Sequence, residues 1–349
     1  MKHLQPPSQL VLRHSEHFQK PLLLVNAPDP EVADEIPVAG TWNLHAGYHE
    51  RWQRQSGTPA HFGETPPATD AAGALVWLPK EKQLTDYLLQ ALTSIVPADA
   101  PVWLVGENRS GIKSIHKVMP EAYAPVQRVT SGNHSLLLCS ELRHTSDQFN
   151  VENYLHQCEL GQPGHPPLQL FSLPGVFAFP SIDKGSEMLL KHLPRWAHGN
   201  VLDFACGHGV LGAWINRAAP ALQVTYLDVS AMALAACRKT LAANDLTGTL
   251  LAHDGLSPTL KKYKYIVSHP PFHTGLATDY KIGQQFLREA RQHLQQTGEL
   301  WLVANRFLPW PELIVESFGH CDRIAEDNRF AVYRAVNKPP VKVRERKRR

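Results

Sequence analysis

The chain has few cysteines, no long apolar run and little net charge. Its five cysteines are scattered, without a Cys-x-x-Cys pair or a Cys/His spacing typical of zinc sites. This scatter excludes a disulfide framework and predicts free thiols in a reducing compartment. No apolar stretch approaches the length of a membrane span, and residues 1–20 are too polar for a signal peptide. We therefore expect a soluble cytoplasmic protein with no membrane partner and no metal site.

The charge is small but unevenly distributed. The whole chain carries a net +3, yet the segment 338–349 alone holds seven basic residues and one acidic residue. A basic tail of this kind contacts polyanions such as RNA through counterion release. A solvated end that only aids solubility would have the same composition, so the tail alone does not decide between the two.

The length and the pattern of apolar residues indicate two domains. The 349 residues, 43% of them hydrophobic, are enough for two buried cores. Short apolar strands alternate with stretches of helical periodicity in both halves, which is the pattern of a doubly wound α/β sheet. We predict tandem doubly wound domains over residues 1–150 and 181–337, a Pro- and Gly-punctuated linker over 151–180, and a basic tail over 338–349.

A glycine-rich turn in the second half predicts a nucleoside cofactor. Residues 201–212 read Val-Leu-Asp-Phe-Ala-Cys-Gly-His-Gly-Val-Leu-Gly, an apolar strand followed by a turn and an apolar helix. Gly207, Gly209 and Gly212 allow backbone N–H groups to approach a ligand without Cβ clashes. The same three glycines also match the dinucleotide fingerprint, so the turn alone does not identify the cofactor.

Three aspartates end three successive predicted strands. Asp203 can order the glycine turn or accept a hydrogen bond from a cofactor ammonium group. Asp228 is placed for ribose hydroxyls, and Asp254 can accept from an adenine amino group. Aspartate also ends strands because it favours turns, but three in series beside the glycine turn favour a binding edge. The first half has no such turn, so we expect no cofactor site there.

The fourth strand of this series ends in His269-Pro270-Pro271-Phe272. Two prolines hold the loop extended and keep its carbonyl groups out of a helix. Such a loop can present hydrogen-bond acceptors to a planar amino group while Phe272 stacks on a base. A proline pair also commonly does no more than end a strand. A dinucleotide oxidoreductase has no need of this loop.

Together these motifs resemble class I S-adenosylmethionine-dependent methyltransferases, and the proline loop is similar to the Asn-Pro-Pro-aromatic motif of members that methylate exocyclic amino groups. The resemblance to the ribosomal RNA small subunit methyltransferase C family is closer and covers nearly the whole chain. The segments that carry this closer resemblance, besides the motifs above, are residues 105–111 (Val-Gly-Glu-Asn-Arg-Ser-Gly), 173–177 (Leu-Pro-Gly-Val-Phe), 300–307 and 329–334.

The resemblance implies methylation of a guanine N2 in 16S rRNA of the small ribosomal subunit, with S-adenosyl-L-methionine as cofactor. It implies a catalytic C-terminal domain and a degenerate N-terminal domain that aids folding and RNA binding, and we expect a monomer. The implied cofactor-binding residues are Asp203, Ala205, Gly207, Gly209, Asp228, Val229, Asp254 and Gly255. The implied catalytic residues are His269, Pro270, Pro271 and Phe272.

Two residues depart from the family pattern, and several alternatives stay open. Ala205 stands where the turn usually has glycine, and His269 replaces an asparagine whose oxygen accepts from the amino group. A neutral histidine accepts through one ring nitrogen, with a different reach and tautomer. The alternatives are methylation of large-subunit rRNA guanine, adenine N6 or protein glutamine, an NAD-dependent oxidoreductase, and a non-catalytic RNA-binding protein.

Overall fold

The structure is a computed structural model that describes residues 4–54, 57–256, 260–270 and 277–338. By packing, the chain divides into two units. The first comprises Met1–Gln157, Phe171–Pro180 and Val229–Ala236, and the second comprises Cys158–Leu170, Ser181–Asp228 and Cys237–Arg349. Across the described ranges, no helix combines the length and apolar character needed to cross a bilayer.

The first unit is built on a seven-stranded sheet with the order β3-β2-β1-β4-β5-β7-β6. Its helices and strands are α1 (Pro6–Arg13), β1 (Leu22–Val25), β2 (Val38–Asn43), α2 (Ala46–Arg54), β3 (Ala60–Phe62), β4 (Ala74–Trp77), α3 (Lys82–Leu92), β5 (Pro101–Glu107), β6 (Gln127–Gly132) and β7 (Ser135–Glu141). Short 3-10 helices cover Ser15–His17, Pro30–Asp34, Ile112–Lys117 and Val151–Tyr154. The strands β1 and β4 are buried along their whole length because they lie in the middle of the sheet.

A second seven-stranded sheet follows after a separate two-stranded sheet of β8 (His156–Leu160) and β9 (Leu168–Ser172). Its helices and strands are α4 (Lys184–His192), β10 (Asn200–Phe204), α5 (Val210–Ala218), β11 (Gln223–Asp228), α6 (Ala231–Ala243), β12 (Thr249–Ala252), β13 (Tyr263–Ser268), α7 (Ala277–His293), β14 (Leu294–Asn305), α8 (Trp310–Phe318), β15 (Asp322–Glu326) and β16 (Phe330–Val336). Its order is β12-β11-β10-β13-β14-β16-β15.

The two large sheets have the same topology. In each, the first five strands of the order pair in parallel and the last two pair antiparallel. The predicted tandem Rossmann-like α/β domains are therefore confirmed, with the refinement that both sheets are mixed. Parallel strands need crossover connections, which the intervening helices supply.

The register of the second sheet brings the predicted site residues to one edge. Phe204 at the end of β10 pairs with Leu227 of β11 and with Ser268 of β13. Phe204 also stacks on Phe286 of α7, with ring centroids 4.4 Å apart, inside the buried core of this unit. The turns after β10, β11 and β13 therefore leave the sheet side by side, at the edge where doubly wound folds bind ligands.

The structure differs from the local sequence pattern at three places. Apolar residues at helical spacing over 282–294, followed by Gly298, predict a helix with a glycine cap, but α7 ends at His293 and Gly298 lies inside β14. A Cβ there would lie 2.9 Å from the carbonyl oxygen of Gln295, so close backbone approach explains the glycine. Ile112 and Ile115 also indicate a helix after β5, and the structure has a 3-10 helix there. The helix α8, which begins at a Trp-Pro pair, was not predicted.

Candidate active site

The glycines that the sequence singled out lie in the turn between β10 and α5 and in the first turn of α5. Gly207 and Gly209 have φ angles of +54° and +81°, in the left-handed region that glycine adopts without a steric penalty. A Cβ on Gly209 would lie 2.5 Å from the Sγ of Cys237, and a Cβ on Gly212 would collide with the ring of Tyr226. The glycines therefore allow both the turn and the close packing of α5 on the sheet.

Asp203 is completely buried at the end of β10. Its Oδ2 accepts a hydrogen bond of 2.8 Å from the N–H of Gly212 in α5. Its Oδ1 is buried and has no hydrogen-bond partner among the residues that the structure describes. Burial, with a smaller contribution from the charge of Asp228, raises the pKa of this carboxyl to about 7 against the lowering effect of the Gly212 hydrogen bond. Asp203 therefore orders the glycine turn with one oxygen and keeps a second, buried acceptor.

Asp228 fastens the same turn from the neighbouring strand. Its Oδ2 accepts a hydrogen bond of 2.8 Å from the N–H of Gly207. The N–H of Cys206 donates to the carbonyl oxygen of Leu227 at 3.0 Å. The end of β11 thus holds the turn after β10 through one side chain and one carbonyl group, a role for Asp228 that its predicted ribose contact did not include.

Ala205 occupies a strained backbone position. Its φ of +55° places it in the left-handed region, which is about 1–2 kcal/mol unfavourable for a residue with a Cβ. This conformation explains why glycine suits the position and why alanine, with the smallest Cβ side chain, is still accommodated.

The remaining predicted cofactor residues follow β11 and β12. Asp254 is exposed directly after β12, and Gly255 beside it has a φ of +83°. The N–H of His253 donates to the carbonyl oxygen of Asp228 at 3.2 Å, which holds the end of β12 against β11. Val229 is half-buried at the start of the segment Val229–Ala236.

Two further side chains at the turn, those of His208 and Cys206, were not predicted as site residues. His208 is buried, its Nδ1 has no partner within the described ranges, and burial lowers its pKa to about 4. Cys206 is buried as well, and burial together with the neighbouring Cys237 raises the pKa of its thiol well above the usual value. The side chains of His208 and Cys206 are therefore uncharged at neutral pH. Both stand within the 201–212 motif, but its glycine pattern gives them no role.

His269 lies at the end of β13, where the sequence placed it, with its side chain only 5% exposed. Its Nδ1 is 3.0 Å from the Oγ of Ser186 and 3.4 Å from an Oδ1 of Asp183. Pro270 is buried beside it. Pro271 and Phe272 lie outside the described residues.

The contact of His269 with α4 was missed by the sequence reasoning. Asp183 is the N-cap of α4, and its Oδ1 accepts from the N–H of Gly185 at 2.7 Å. An aspartate ahead of an apolar periodic stretch is a recognisable signal of a helix start. That signal predicts the cap, but it does not predict that Ser186 of the same helix contacts a residue 83 positions further along the chain.

The comparisons with known proteins agree with this geometry. A family model described as the methyltransferase small domain matches residues 167–334, and one described as the methyltransferase small domain N-terminal matches residues 8–158. The fold and the site thus define a tandem Rossmann-like methyltransferase.

Curated relatives identify the family. Ribosomal RNA small subunit methyltransferase C of Pseudomonas entomophila is 40% identical over 95% of this chain and 99% of its own length. The protein of the same name from Pseudomonas syringae pv. syringae is also 40% identical, over 95% and 99%. The chain belongs to the ribosomal RNA small subunit methyltransferase C family, so the predicted family and enzyme class are confirmed.

A solved structure shares the fold over nearly the whole chain. It is that of the T. thermophilus 16S rRNA N2 G1207 methyltransferase (RsmC) in complex with AdoMet and guanosine. The two superpose with a TM-score of 0.82 at 20% identity, covering 96% of this chain and 93% of the other.

Proposed function

We propose that this chain transfers a methyl group from S-adenosyl-L-methionine to the N2 amino group of a guanosine in 16S rRNA of the small ribosomal subunit. The single observation that carries the proposal is the buried Oδ1 of Asp203, an acceptor with no described partner beside a fixed glycine turn. The relatives named as small subunit rRNA methyltransferases, and the T. thermophilus enzyme that acts at guanine N2, support the choice of substrate.

The residues of the turn fit this cofactor. S-adenosylmethionine supplies an activated methyl group on a sulfonium when bound, and it also carries an ammonium group, ribose hydroxyls and an adenine ring. A buried carboxylate oxygen of Asp203 is the acceptor that an ammonium group requires. We assign the methionine portion to Asp203, Ala205, Gly207 and Gly209. The ribose is assigned to Asp228 and Val229, and the adenine to Asp254 and Gly255.

The base would be held at the end of β13. The lone pair of a guanine amino group is delocalised into the ring, so this nitrogen is a poor nucleophile. Acceptors at the imidazole of His269 and the carbonyl of Pro270 would bind the two amino hydrogens and favour a pyramidal nitrogen. Pro271 would stiffen the loop and Phe272 would stack on the base. Catalysis would then rest on positioning and on preorganised acceptors.

The N-terminal unit is proposed to aid folding and to bind RNA without a cofactor of its own. After β1 the chain reads Asn26-Ala27-Pro28-Asp29, with no glycine and with a proline that has no N–H to donate.

The proposed domains are residues 1–150 and 181–337, joined by a linker over 151–180 and followed by a basic tail over 338–349. We also propose a monomer that acts in the cytoplasm. Removal of 338–349 should reduce the salt dependence of RNA binding, and sedimentation tests the monomer.

Methyl transfer measured on separated ribosomal particles tests the function. Purified protein with tritiated S-adenosylmethionine is incubated with small subunits, large subunits and free rRNA, and the labelled nucleoside is identified by mass spectrometry. We expect N2-methylguanosine in 16S rRNA. Label only in large-subunit RNA would shift the substrate to the alternative, and calorimetric binding of NAD but not of S-adenosylhomocysteine would overturn the cofactor.

A further inference from the structure

The start of α4 packs against the imidazole of His269 through three residues. The Oγ of Ser186 lies 3.0 Å from the Nδ1 of His269, and an Oδ1 of Asp183 lies 3.4 Å from the same atom. Asp183 is itself fixed, because this oxygen accepts from the N–H of Gly185 at 2.7 Å. One ring nitrogen of His269 therefore faces a hydroxyl group and a carboxylate that is locked in place as a helix cap.

Gly185 makes room for this arrangement. A Cβ on Gly185 would lie 2.8 Å from the Cε1 of His269, 2.9 Å from the Oδ1 of Asp183 and 3.0 Å from a ring carbon of Phe330. Phe330 meets the imidazole edge-on, with ring centroids 5.8 Å apart and planes at 90°. The imidazole is thus held between the first turn of α4 and the ring of Phe330.

The carboxylate selects one tautomer of His269. An ionised carboxylate only accepts hydrogen bonds. With a proton on Nδ1, the ring donates to the hydroxyl of Ser186, and the Asp183 charge is attracted to the N–H. Without that proton, the lone pair of Nδ1 would face the Asp183 oxygen at 3.4 Å, which is repulsive. In the favoured tautomer the lone pair is on Nε2, which becomes the acceptor of the ring.

We propose that Asp183, Gly185 and Ser186 are positioning residues that hold His269 as the Nδ1–H tautomer, with Nε2 as the acceptor for the amino group of the target guanine. This inference rests on the proposed function. It explains how a histidine can replace the asparagine of the family motif: a neutral imidazole with a fixed Nε2 lone pair offers one acceptor, as the asparagine oxygen does. In proteins, a histidine tautomer is commonly fixed by a carboxylate or carbonyl group that accepts from the other ring nitrogen.

The tautomer can be observed directly. Two-bond 1H–15N spectra of the full chain labelled with 15N-histidine separate protonated from unprotonated ring nitrogens, and the signals of His269 are those lost in His269→Asn. We expect a protonated Nδ1 and an unprotonated Nε2. A protonated Nε2 on His269 would overturn the proposal.

Binding of two nucleosides tests the consequence without any turnover. Guanosine and inosine differ in the N2 amino group, so the ratio of their affinities, measured with S-adenosylhomocysteine bound, reports the hydrogen bond to that group. Asp183→Asn keeps a good helix cap through its Oδ1 but removes the negative charge that favours a proton on Nδ1. We expect it to reduce the preference for guanosine by about tenfold while leaving the affinity for inosine unchanged. Glu187→Gln, in the same helical turn, is the matched control and should retain the preference.

The same substitution in a His269→Asn background separates positioning from general stability. Asparagine has no tautomers, so Asp183→Asn should not lower the guanosine preference further in that background. An equal loss in both backgrounds would overturn the positioning role. Failure of the wild-type protein to methylate small subunits would instead overturn the proposed function, whatever tautomer His269 adopts.

Discussion

The N–H of Gly207 donates a hydrogen bond of 2.8 Å to the Oδ2 of Asp228, so the end of β11 holds the glycine turn that follows β10. This contact joins two features that the sequence showed separately, an acid at a strand end and a glycine in a turn. It means that the carboxylate of Asp228 helps to shape the glycine turn.

We expect Asp228→Ala to lower the free energy of unfolding by about 1.5–3 kcal/mol, the usual range for a hydrogen bond to a charged group. Asp228→Asn should lower the free energy of unfolding by less, because its amide oxygen can still accept from the N–H of Gly207. Urea unfolding gives the free energies, and hydrogen exchange at the Gly207 amide reports the bond itself. Asp254→Ala, an exposed strand-end acid, is the control and should change stability by less than about 0.5 kcal/mol. Equal effects of both alanine variants would contradict the assignment.

The buried carboxyl of Asp203 should make stability depend on pH. Its pKa is about 7 in the folded protein and about 3.9 in an unfolded chain. Between these values the folded state holds a proton that the unfolded state has released, so the contribution of Asp203 to stability falls as pH rises, by about 1.4 kcal/mol per pH unit. Below the pKa of the unfolded state this loss of stability is absent, and above the pKa of the folded state it is complete.

Unfolding measured at about pH 5 and about pH 7 checks this sign, since that interval lies inside the titration window. Asp203→Asn removes the titration and should become more stable relative to the wild type as pH rises. Taking the difference between the two proteins cancels other groups, including His208, whose lowered pKa gives the opposite slope at lower pH. The idea fails if the difference is the same at both pH values.

Much of the site could be predicted from the sequence because its parts lie at strand ends. Asp203 and Asp228 lie at the ends of β10 and β11, and Asp254 follows β12, so the parallel order brings all three to one edge. What could not be predicted is the set of partners. Packing decides which oxygen of Asp203 accepts from the Gly212 N–H. Packing between segments far apart in the chain also brings His269 into contact with Ser186.

The errors in the fold have different causes. Gly298 carries the composition signal of a helix cap, but its position is set by the close approach of the Lys264 and Gln295 carbonyl oxygens in the sheet. The helix α8 has only nine residues, and its five buried residues recur at helical spacing on one face. Its periodic signal was therefore present in the sequence and was missed, whereas the packing around Gly298 has no local signal.

The strained conformation of Ala205 predicts a stabilising substitution. Ala205→Gly removes the Cβ that disfavours its φ of +55°, and we expect a gain of about 1 kcal/mol after the greater flexibility of glycine in the unfolded chain is included. Ala242→Gly, at an exposed position inside α6, should instead lose about 1 kcal/mol. Thermal and urea unfolding show whether each variant gains or loses stability. A loss at both positions would show that the turn at Ala205 is not strained.

Gly212, in the first turn of α5, should tolerate no side chain. Gly212→Ala would drive a Cβ into the buried ring of Tyr226, and such overpacking lowers the free energy of unfolding by about 1–3 kcal/mol. Because the N–H of Gly212 also donates to Asp203, displacement of α5 should weaken the binding of S-adenosylhomocysteine, which calorimetry measures.

Gly283→Ala is the matched control, since Gly283 lies inside α7 and its added Cβ would meet neighbours no closer than 3.6 Å. It should stabilise the protein by up to about 1 kcal/mol through helix propensity and leave ligand binding unchanged. Normal stability and binding in Gly212→Ala would mean that close packing of α5 on β11 is not what requires glycine at this position.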